Sequence, residues 1–195
     1  MIAGIVLAGG EGRRIGGDKP FVALAGRPLL AHVVERIRPQ VDRLALAVRQ
    51  SDARFEAFGL PQLADPADMA GPLAGLVSGL AFAAASGADW LLTVPTDAPL
   101  LPADLVGRLR AAALPETEAV VARSAGASHP TVALYRPALG GRLAAHLDAT
   151  PRRSIIGFLE RLVLGHADFA AFPVDPFLNL NTPDDLAAAR SVLSS

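Results

Sequence analysis

Apolar positions along this chain form short runs that alternate with longer segments of helical spacing. The first short run, from Ala3 to Ala8, is apolar on both sides, as in a strand buried on both faces. We predict strands at 3–8, 44–48, 62–65, 90–94, 118–123 and 131–135, and an extended segment at 170–174. Helices are predicted at 28–37, 73–85, 102–113, 138–147, 154–162 and 183–193, with Pro102 as the first residue of the third. Strands that alternate with helices indicate βαβ units, so we predict an α/β fold with a mainly parallel sheet.

Composition and charge narrow the class of protein further. The 195 residues are 51% apolar and have a mean hydropathy of +0.37, which supplies a core for a single domain, 1–195, and excludes intrinsic disorder. A net charge of −1 offers no basic excess for a nucleic-acid surface, and no apolar run reaches the roughly 18 residues of a membrane span. The chain has no cysteine, which excludes disulfides, thiol nucleophiles and zinc–thiolate sites. Because the first residues also lack a signal-peptide pattern, we expect a cytoplasmic protein.

A glycine-rich loop follows the first predicted strand. The segment from Leu7 to Lys19 carries five glycines and the only lysine of the chain, whose other 17 basic residues are arginines. Glycines let backbone amides approach phosphate oxygens closely, and the basic residues supply charge, so the loop is typical of nucleotide binding. It is not a dinucleotide fingerprint, because Ile15 stands at the third glycine, nor a P-loop, because Asp18 stands at the lysine. A flexible turn with incidental charge is the alternative interpretation.

Two aspartates stand near the ends of predicted strands, where ligands bind in parallel sheets. Asp97 follows the strand at 90–94 and lies between two prolines. A carboxylate in that position suits Mg²⁺, which takes one or two carboxylates together with substrate phosphates, although a turn-forming or capping aspartate is the alternative. Asp65 precedes Pro66, and such a pair by itself is an ordinary opening of a turn.

Polar residues also gather near the C-terminal end of the chain. Asn179 and Asn181 occupy alternate positions of an extended segment, so both amides are expected on one face. Thr182 and the residues after it read as the start of a helix, with Thr182 as the cap. The Arg152–Arg153 pair fits a solvated helix entry, and His129 is as well explained by a structural role as by a substrate contact.

In order along the chain, these motifs resemble those of the nucleotidyltransferases that activate sugar phosphates, and most closely those of the molybdenum cofactor guanylyltransferase family. The motifs are L-A-G-G-x-x-R-R-I-G-G-D-K at 7–19, G-P-L-A-G at 71–75, P-T-D-A-P at 95–99, H-P-T-V-A-L at 129–134, R-R at 152–153 and N-L-N-T-P at 179–183. They extend over almost the whole chain. The loop and the Asp97 motif alone indicate only the superfamily, whereas the H-P-T and N-x-N-T-P segments are typical of the guanylyltransferases.

This resemblance implies a fold, a reaction and a set of functional residues. The fold would be a three-layer α/β/α nucleotide-binding fold of the nucleotide-diphospho-sugar-transferase type. The reaction would transfer GMP from GTP to the terminal phosphate of molybdopterin, with or without bound molybdenum, using Mg²⁺ and releasing pyrophosphate. Nucleotide binding is expected from Leu7, Ala8, Gly9, Gly10, Lys19, Asp65 and Asp97. The expected catalytic residues are Lys19, Arg13 and Asp97, and the expected metal ligand is Asp97. Lys19 and Arg13, together with the backbone amides of Ala8, Gly9 and Gly10, would stabilise the charge that develops on the α-phosphate and on the leaving pyrophosphate. Binding of the acceptor substrate is expected from Asn179, Asn181, Arg152 and Arg153. Molybdenum-insertion proteins and molybdoenzyme chaperones are the protein partners that the resemblance allows, and neither nucleic acid nor a membrane is expected.

One position departs from the pattern of the family. Its better-known members carry an asparagine at the end of the second strand that helps to hold the nucleotide, and Ala47 stands there in this chain. Alanine has no hydrogen-bonding side chain, so either base recognition depends on backbone groups, or the correspondence with the family shifts locally at this position. The alternatives are a CTP-using molybdopterin cytidylyltransferase, a sugar-phosphate nucleotidyltransferase and a non-catalytic nucleotide-binding module. The failed fingerprint disfavours a nicotinamide-dependent oxidoreductase.

Overall fold

The structure is a computed structural model, and it describes residues 1–9, 18–67, 69, 71–149, 154–172 and 174–193. The strands within these ranges are β1 (Ile2–Leu7), β2 (Ala23–Leu24), β3 (Arg27–Pro28), β4 (Arg43–Val48), β5 (Gln62–Ala64), β6 (Trp90–Pro95), β7 (Ala119–Ser124), β8 (Ala127–Tyr135) and β9 (Leu164–Phe169). The α-helices are α1 (Leu29–Ile37), α2 (Pro72–Ala85), α3 (Leu105–Ala111), α4 (Gly140–Ala149), α5 (Ile155–Leu159) and α6 (Pro183–Leu193). No helix in this part of the chain is long and apolar enough to cross a membrane.

One mainly parallel sheet forms the centre of the molecule. Seven of the described strands line up in the order β5-β4-β1-β6-β8-β7-β9. β1 pairs in parallel with β4 and β6, β4 with β5, and β7 with β9. β8 pairs antiparallel with both β6 and β7, so among these seven strands it alone runs in the opposite direction. The predicted α/β class with a mainly parallel sheet is therefore confirmed.

Helices cover both faces of the sheet, which gives the three layers that the resemblance implied. α1 and α3 pack on one face, in a buried cluster that includes Val6 of β1. α2, α4 and α5 pack on the other face, in a cluster that includes Ile5 of the same strand. Neighbouring residues of a strand point to opposite faces, so β1 contributes to both clusters and lies at the centre of the fold. A third, smaller cluster joins β2, α1 and α6.

Two predicted elements differ from the structure. Pro102 does not begin the third predicted helix, because its carbonyl accepts a hydrogen bond from the amide of Leu105 in a turn, and α3 begins only at Leu105. The extended segment predicted at 170–174 is wrong, because the strand in this region is β9, which ends at Phe169 after pairing with β7. Ala167 and Phe169 are buried while the residues between and before them are exposed, so β9 carries the alternation of a strand with one solvent-facing side.

A short hairpin that the sequence analysis did not predict precedes α1. β2 and β3 pair antiparallel around Ala25 and Gly26, whose φ angles are 49° and 77°. Two successive positive φ angles are typical of the tight turns that join two strands of a hairpin. Leu24 of β2 is fully buried in the third cluster, so the hairpin packs against α6.

Candidate active site

The carboxyl ends of β1 and β6 meet at one cleft. Leu7 pairs with Pro95 in the parallel register, so the start of the glycine-rich loop lies beside the turn that carries Asp97. Six of the residues predicted to bind substrates line this cleft: Leu7, Gly9, Lys19, Asp65, Asp97 and Asn179. The cleft lies beyond the carboxyl ends of parallel strands, which is where α/β sheets bind ligands.

Lys19 connects three parts of the chain inside the cleft. Its Nζ atom donates one hydrogen bond to Asp97 Oδ2 at 2.5 Å and another to Asn181 Oδ1 at 2.6 Å. The side chains of Lys19 and Asp97 are only 13% and 20% exposed, so their ion pair is largely shielded from solvent. The structure thus brings together a predicted catalytic lysine, a predicted metal ligand and a predicted acceptor-binding asparagine.

Backbone contacts on both sides of Asp97 fix its position. The hydroxyl of Thr96 donates to the carbonyl of Leu7 at 2.8 Å, and the amide of Thr96 donates to the same carbonyl at 3.3 Å. The carbonyl of Asp97 accepts a hydrogen bond from the amide of Leu180 at 2.9 Å. Asp97 is therefore fastened to β1 on one side and to the C-terminal segment on the other.

Asp65 lies in the same cleft in a different environment. Its amide donates to the carbonyl of Val48 at 2.8 Å, which holds the end of β5 against β4. Its Oδ1 atom is buried and has no hydrogen-bond partner among the described residues, and burial raises the pKa of this carboxyl to about 6. A Cβ atom at Gly9 would lie 3.1 Å from Asp65 Oδ2, so a glycine at this point leaves room for the carboxylate. A buried carboxylate oxygen without a partner is suited to accept hydrogen bonds from a ligand.

The amide of Ala8 does not point to a ligand. It donates to the carbonyl of Ala47 at 2.8 Å and so continues the pairing of β1 with β4. The prediction that this amide helps to stabilise phosphate charge is therefore wrong. Ala8 instead lines a second concavity beside the cleft, together with Gly9 and Arg49. The role predicted for the amide of Gly9 remains a prediction.

The first half of α2 forms one wall of the cleft. Gly71, Pro72 and Gly75 line it, and Gly75 lies so close to β1 that an added Cβ atom would be 2.5 Å from Leu7 Cδ2 and 3.1 Å from Ala47 Cβ. Ala47, which the sequence analysis placed at the family's asparagine position, is 1% exposed and lines the cleft. The small side chain of Ala47 is thus matched to the close approach of α2.

The segment that carries the two asparagines ends at a capped helix. The carboxylate of Asp185 accepts hydrogen bonds from the amides of Asn181 and Thr182 at 2.9 and 2.8 Å, and the Thr182 hydroxyl accepts one from the amide of Asp185 at 3.2 Å. The hydrogen bond from the Asn181 amide is the main cause that holds the pKa of Asp185 below its usual value, and the contacts with Thr182 add to it. The predicted start of α6 with Thr182 as its cap is confirmed, and the cap fixes the backbone of Asn181.

Some of the predicted site residues lie outside the described residues. These are Gly10 and Arg13 in the glycine-rich loop, and Arg152 and Arg153 between α4 and α5. Their predicted roles remain predictions.

The sequence analysis did not identify Thr131 and Thr96 as residues of the cleft, although both line it. Thr131 lines it, and its neighbourhood is irregular because the register of β7 with β8 jumps from Val121↔Ala133 to Ala122↔His129. Pro130 has no amide hydrogen to donate to the neighbouring strand. The proline of the H-P-T motif was therefore the feature of the sequence that could have indicated this irregularity. Thr96 was likewise visible in the P-T-D motif.

The carboxylate oxygens in the cleft suit a divalent cation that binds together with phosphates. Among the described residues, no group of three His, Cys, Asp or Glu side chains could hold a metal by themselves. Mg²⁺ does not require such a group, because it commonly takes one or two carboxylates and completes its shell with phosphates and water. Asp97 offers a carboxylate at the mouth of β6, and Asp65 offers in the same cleft a buried oxygen that no described residue satisfies.

Comparison with known sequences identifies relatives of the whole chain. Residues 4–163 match the family model of the MobA-like NTP transferase domain. A molybdenum cofactor guanylyltransferase of Rhodopseudomonas palustris is 46% identical over 193 residues, which cover 96% of this chain and 92% of the relative. A molybdenum cofactor guanylyltransferase of Cereibacter sphaeroides is 46% identical over 191 residues, which cover 97% of this chain and 96% of the relative.

Comparison with solved structures supports the fold. The molybdopterin-guanine dinucleotide biosynthesis protein A of Archaeoglobus fulgidus has a TM-score of 0.74 and 24% identity, with 98% of each chain covered. A nucleotidyl transferase of Methanothermobacter thermautotrophicus has a TM-score of 0.77 and 18% identity, and the match covers 100% of this chain and 98% of that one. At these identities the likeness shows that the chain shares the fold of these two proteins.

Proposed function

The chain belongs to the MobA-like NTP transferases, and among them to the molybdenum cofactor guanylyltransferase family, and on this premise we propose that it transfers GMP from GTP to the terminal phosphate of molybdopterin. The observation that carries the proposal is the contact of Lys19 with both Asp97 and Asn181 in the cleft at the carboxyl ends of β1 and β6. It joins the nucleotide side of the cleft to the segment predicted to bind the acceptor.

The proposed reaction is a direct transfer. A phosphate oxygen of molybdopterin attacks the α-phosphorus of GTP and forms a new phosphorus–oxygen bond. The bond from the α-phosphorus to the oxygen bridging to the β-phosphate breaks, and its electron pair leaves with pyrophosphate. The attacking phosphate is already an anion, so no general base is needed, and positioning with charge neutralisation lowers the barrier.

Lys19 is the described cation best placed to neutralise that charge. A lysine ammonium is a compact point charge with three donors, two of which are used by Asp97 and Asn181. In the proposal it binds phosphate oxygens of GTP, and Arg13 adds charge from the glycine-rich loop. Asp97 would hold the divalent cation of the family, Mg²⁺ in our proposal, which when bound supplies further neutralisation of the phosphates.

Asp65 is our candidate for reading the base. The Watson–Crick edge of guanine presents two neighbouring N–H donors, whereas that of cytosine presents one amino donor next to acceptors. A carboxylate with a buried oxygen that lacks a partner matches the guanine edge, because an ionised carboxylate only accepts hydrogen bonds. In this assignment the Asp65 side chain recognises the base, a role that Ala47 cannot fill because its side chain forms no hydrogen bonds.

The proposal extends to partners. GTP and molybdopterin are the two substrates, and molybdenum-insertion proteins and molybdoenzyme chaperones are the proteins with which the enzyme would exchange the pterin. We expect these contacts to be seen as binding of purified candidates to the purified enzyme.

Release of pyrophosphate tests the activity directly. The enzyme is incubated with Mg²⁺, molybdopterin and each of the four ribonucleoside triphosphates in turn. We expect release with GTP, and a dinucleotide product that contains GMP. Release mainly with CTP would reject the base assignment and favour a cytidylyltransferase. No release with any triphosphate would reject the reaction, and sugar phosphates would then be tested as acceptors.

Two variants test the assigned catalytic residues. Asp97→Ala is expected to remove most turnover, and Lys19→Ala to lower kcat by a factor on the order of 100 or more, as the loss of a preorganised charged donor does. Arg27→Ala is the control, because the Arg27 side chain is 51% exposed and pairs with Glu35 outside the cleft. Circular dichroism checks that each variant is folded. Near-normal turnover of folded Asp97→Ala would contradict its assignment as metal ligand.

A further inference from the structure

Ser124, the last residue of β7, makes a polar cluster outside the cleft. Its side chain is 2% exposed. Its Oγ atom lies 2.7 Å from His129 Nε2 in β8, and 2.9 and 2.8 Å from the Oδ1 and Oδ2 atoms of Asp175. The cluster therefore joins the hairpin of β7 and β8 to the chain that leads from β9 to α6.

The direction of these hydrogen bonds follows from counting protons. A serine hydroxyl has one proton, and a carboxylate only accepts, so Ser124 donates to Asp175. The short contact with His129 then requires the imidazole to donate its Nε2 proton to the lone pair of Ser124 Oγ. Burial lowers the pKa of His129, while the Asp175 carboxylate opposes this shift. The ring is consequently a neutral donor at neutral pH, and the chain of bonds runs from His129 through Ser124 to Asp175.

This arrangement is not that of a hydrolase. In a catalytic Ser–His–Asp triad, the histidine lies between the other two and takes the serine proton. Here Ser124 lies in the middle, its proton goes to Asp175, and its side chain is almost completely buried. The cluster is built to hold its members in place.

Aromatic contacts extend the cluster along the C-terminal segment. The amide of Phe177 donates to Asp175 Oδ1 at 2.9 Å, which fixes the turn between these residues. The Phe177 ring packs on His129 with 4.7 Å between centroids, and meets the ring of Phe169 edge-on at 5.0 Å. With Phe177 2% exposed, the start of the segment is locked against β8 and β9.

The same segment then enters the cleft. Asn179 lines it, the amide of Leu180 donates to the carbonyl of Asp97, and Asn181 accepts from Lys19. Residues 175–181 are thus fastened at both ends, by Ser124 at one end and by the Asp97 turn at the other. Any shift of Asp175 would be passed on to two asparagines that lie only four and six positions later.

We propose that Ser124, together with His129 and Asp175, is a positioning residue that holds Asn179 and Asn181 at the acceptor side of the active site. The inference rests on the proposed function for the identity of the acceptor, and on the hydrogen bonds alone for the positioning. Ser124 touches no substrate in this assignment and acts through the segment 175–181. A misplacement of about 1 Å in such a segment is enough to slow transfer strongly.

Ser124→Ala separates positioning from a general effect on the fold. We expect kcat/KM for molybdopterin to fall about tenfold or more, since one charge-assisted hydrogen bond is lost. The Kd of a non-hydrolysable GTP analogue should stay within about twofold, because the nucleotide side of the cleft keeps its contacts. Hydrogen exchange of peptides covering 175–181 should become faster, while that of β1 and β6 is unchanged.

Three further variants complete the test. Ser124→Thr keeps the hydroxyl and should restore both the kinetics and the slow exchange, whereas Ser51→Ala, at an exposed position after β4, should change neither. Asp175→Ala should lower the same parameters at least as much as Ser124→Ala, because it also removes the hydrogen bond from the Phe177 amide. The double variant should be no worse than Asp175→Ala alone, since that variant already breaks the Ser124 interaction. If Ser124→Ala does not fold, Asp175→Ala decides alone.

The outcomes distinguish this inference from the proposed function. Unchanged exchange at 175–181, or equal losses in GTP-analogue affinity and in acceptor kinetics, would overturn the positioning role. If the wild-type enzyme transfers nothing to molybdopterin, the proposed function fails, and faster exchange in Ser124→Ala would still support the positioning role.

Discussion

Asp65 and Asp97 show how one residue type acquires two properties within one cleft. Asp97 has its carboxylate paired with Lys19 at 2.5 Å. Asp65 has a buried oxygen that no described residue satisfies, and burial raises its pKa to about 6 from an ordinary value of 3.8. The unpaired carboxylate is a cost to the folded state, and such costs are typical of residues retained for binding.

The raised pKa of Asp65 predicts a pH dependence of stability. The folded state binds this proton more tightly than the unfolded state, so the contribution of Asp65 becomes less favourable as pH rises from about 4 through about 6. Compared with Asp65→Asn, which does not titrate, the wild-type protein should therefore gain free energy of unfolding between about pH 7.5 and about pH 5. Urea unfolding of both proteins at the two pH values measures this. A difference between them that does not change with pH would contradict the prediction.

At the scale of elements, two glycines one turn apart determine how α2 lies on the sheet. A Cβ atom at Gly75 would be 2.5 Å from Leu7 Cδ2, and one at Gly79 would be 3.0 Å from Leu91 Cδ2. Gly75 therefore faces β1 and β4, Gly79 faces β1 and β6, and both let the helix approach the sheet closely. Because Leu7 also lines the cleft, the packing of α2 is linked to the shape of the nucleotide site.

Gly75→Ala should consequently affect binding more than stability. Alanine is the better helix former by about 1 kcal/mol, which offsets part of the clash, but the Leu7 side chain must move. We expect the Kd of a GTP analogue to rise roughly five- to tenfold, measured by calorimetry. Gly107→Ala in α3 is the matched control, since nothing lies within 4 Å of its added Cβ atom, and it should only stabilise the fold by about 0.5–1 kcal/mol. Equal binding by the two variants would refute the link.

The central strands were predictable from the sequence because strands buried on both faces are made mostly of apolar residues. β1 and β6 lie in the middle of the sheet and are buried on both faces, so their residues form apolar runs that only Thr93 of β6 interrupts. β9 is an edge strand in which Gly165, His166 and Asp168 interrupt the pattern, so its place was not predicted. The hairpin of β2 and β3 has only two residues in each strand, too few to show a period.

The candidate site was predictable in its members and less so in its contacts. The strand ends and motifs indicated Lys19, Asp97 and Asn181 separately. The sequence pattern does not show that the Lys19 ammonium group contacts both Asp97 and Asn181. These residues are far apart along the chain, and only the folded sheet brings them together. In the Ser124 cluster, only His129 belonged to a motif, H-P-T, and nothing in that motif indicated its contact with Ser124. Ser124 and Asp175 belonged to no motif, since buried polar residues of this kind are recognised only by their partners.

At the scale of the whole molecule, the buried apolar residues that the structure describes form two large clusters and one small one. The large clusters lie on either face of the sheet, and the small one consists of Leu24, Leu29, Leu180 and Ala189 with partly buried residues around it. The small cluster holds the hairpin and α6 to the body of the protein. With fewer buried apolar contacts, it should open at a lower free energy than the sheet.

Leu180→Ala tests this division. Leu180 is fully buried, so its truncation should cost about 2–5 kcal/mol, and the cost should fall on the small cluster. We expect hydrogen exchange to accelerate in α6 and at the hairpin of β2 and β3, while the amides of β1, β4 and β6 stay protected. Uniform acceleration throughout the sheet would show that the small cluster does not open independently.

The contact between Lys19 and Asn181 spans 162 positions of the chain, and that between Lys19 and Asp97 spans 78. A ribosome makes proteins from the N-terminus, and nascent chains begin to fold in that order. Leu7, Lys19, Asp65 and Asp97 therefore exist together well before either asparagine has been made. The residues proposed to bind GTP are thus synthesised first, and the two asparagines proposed to hold the acceptor are added near the end of translation.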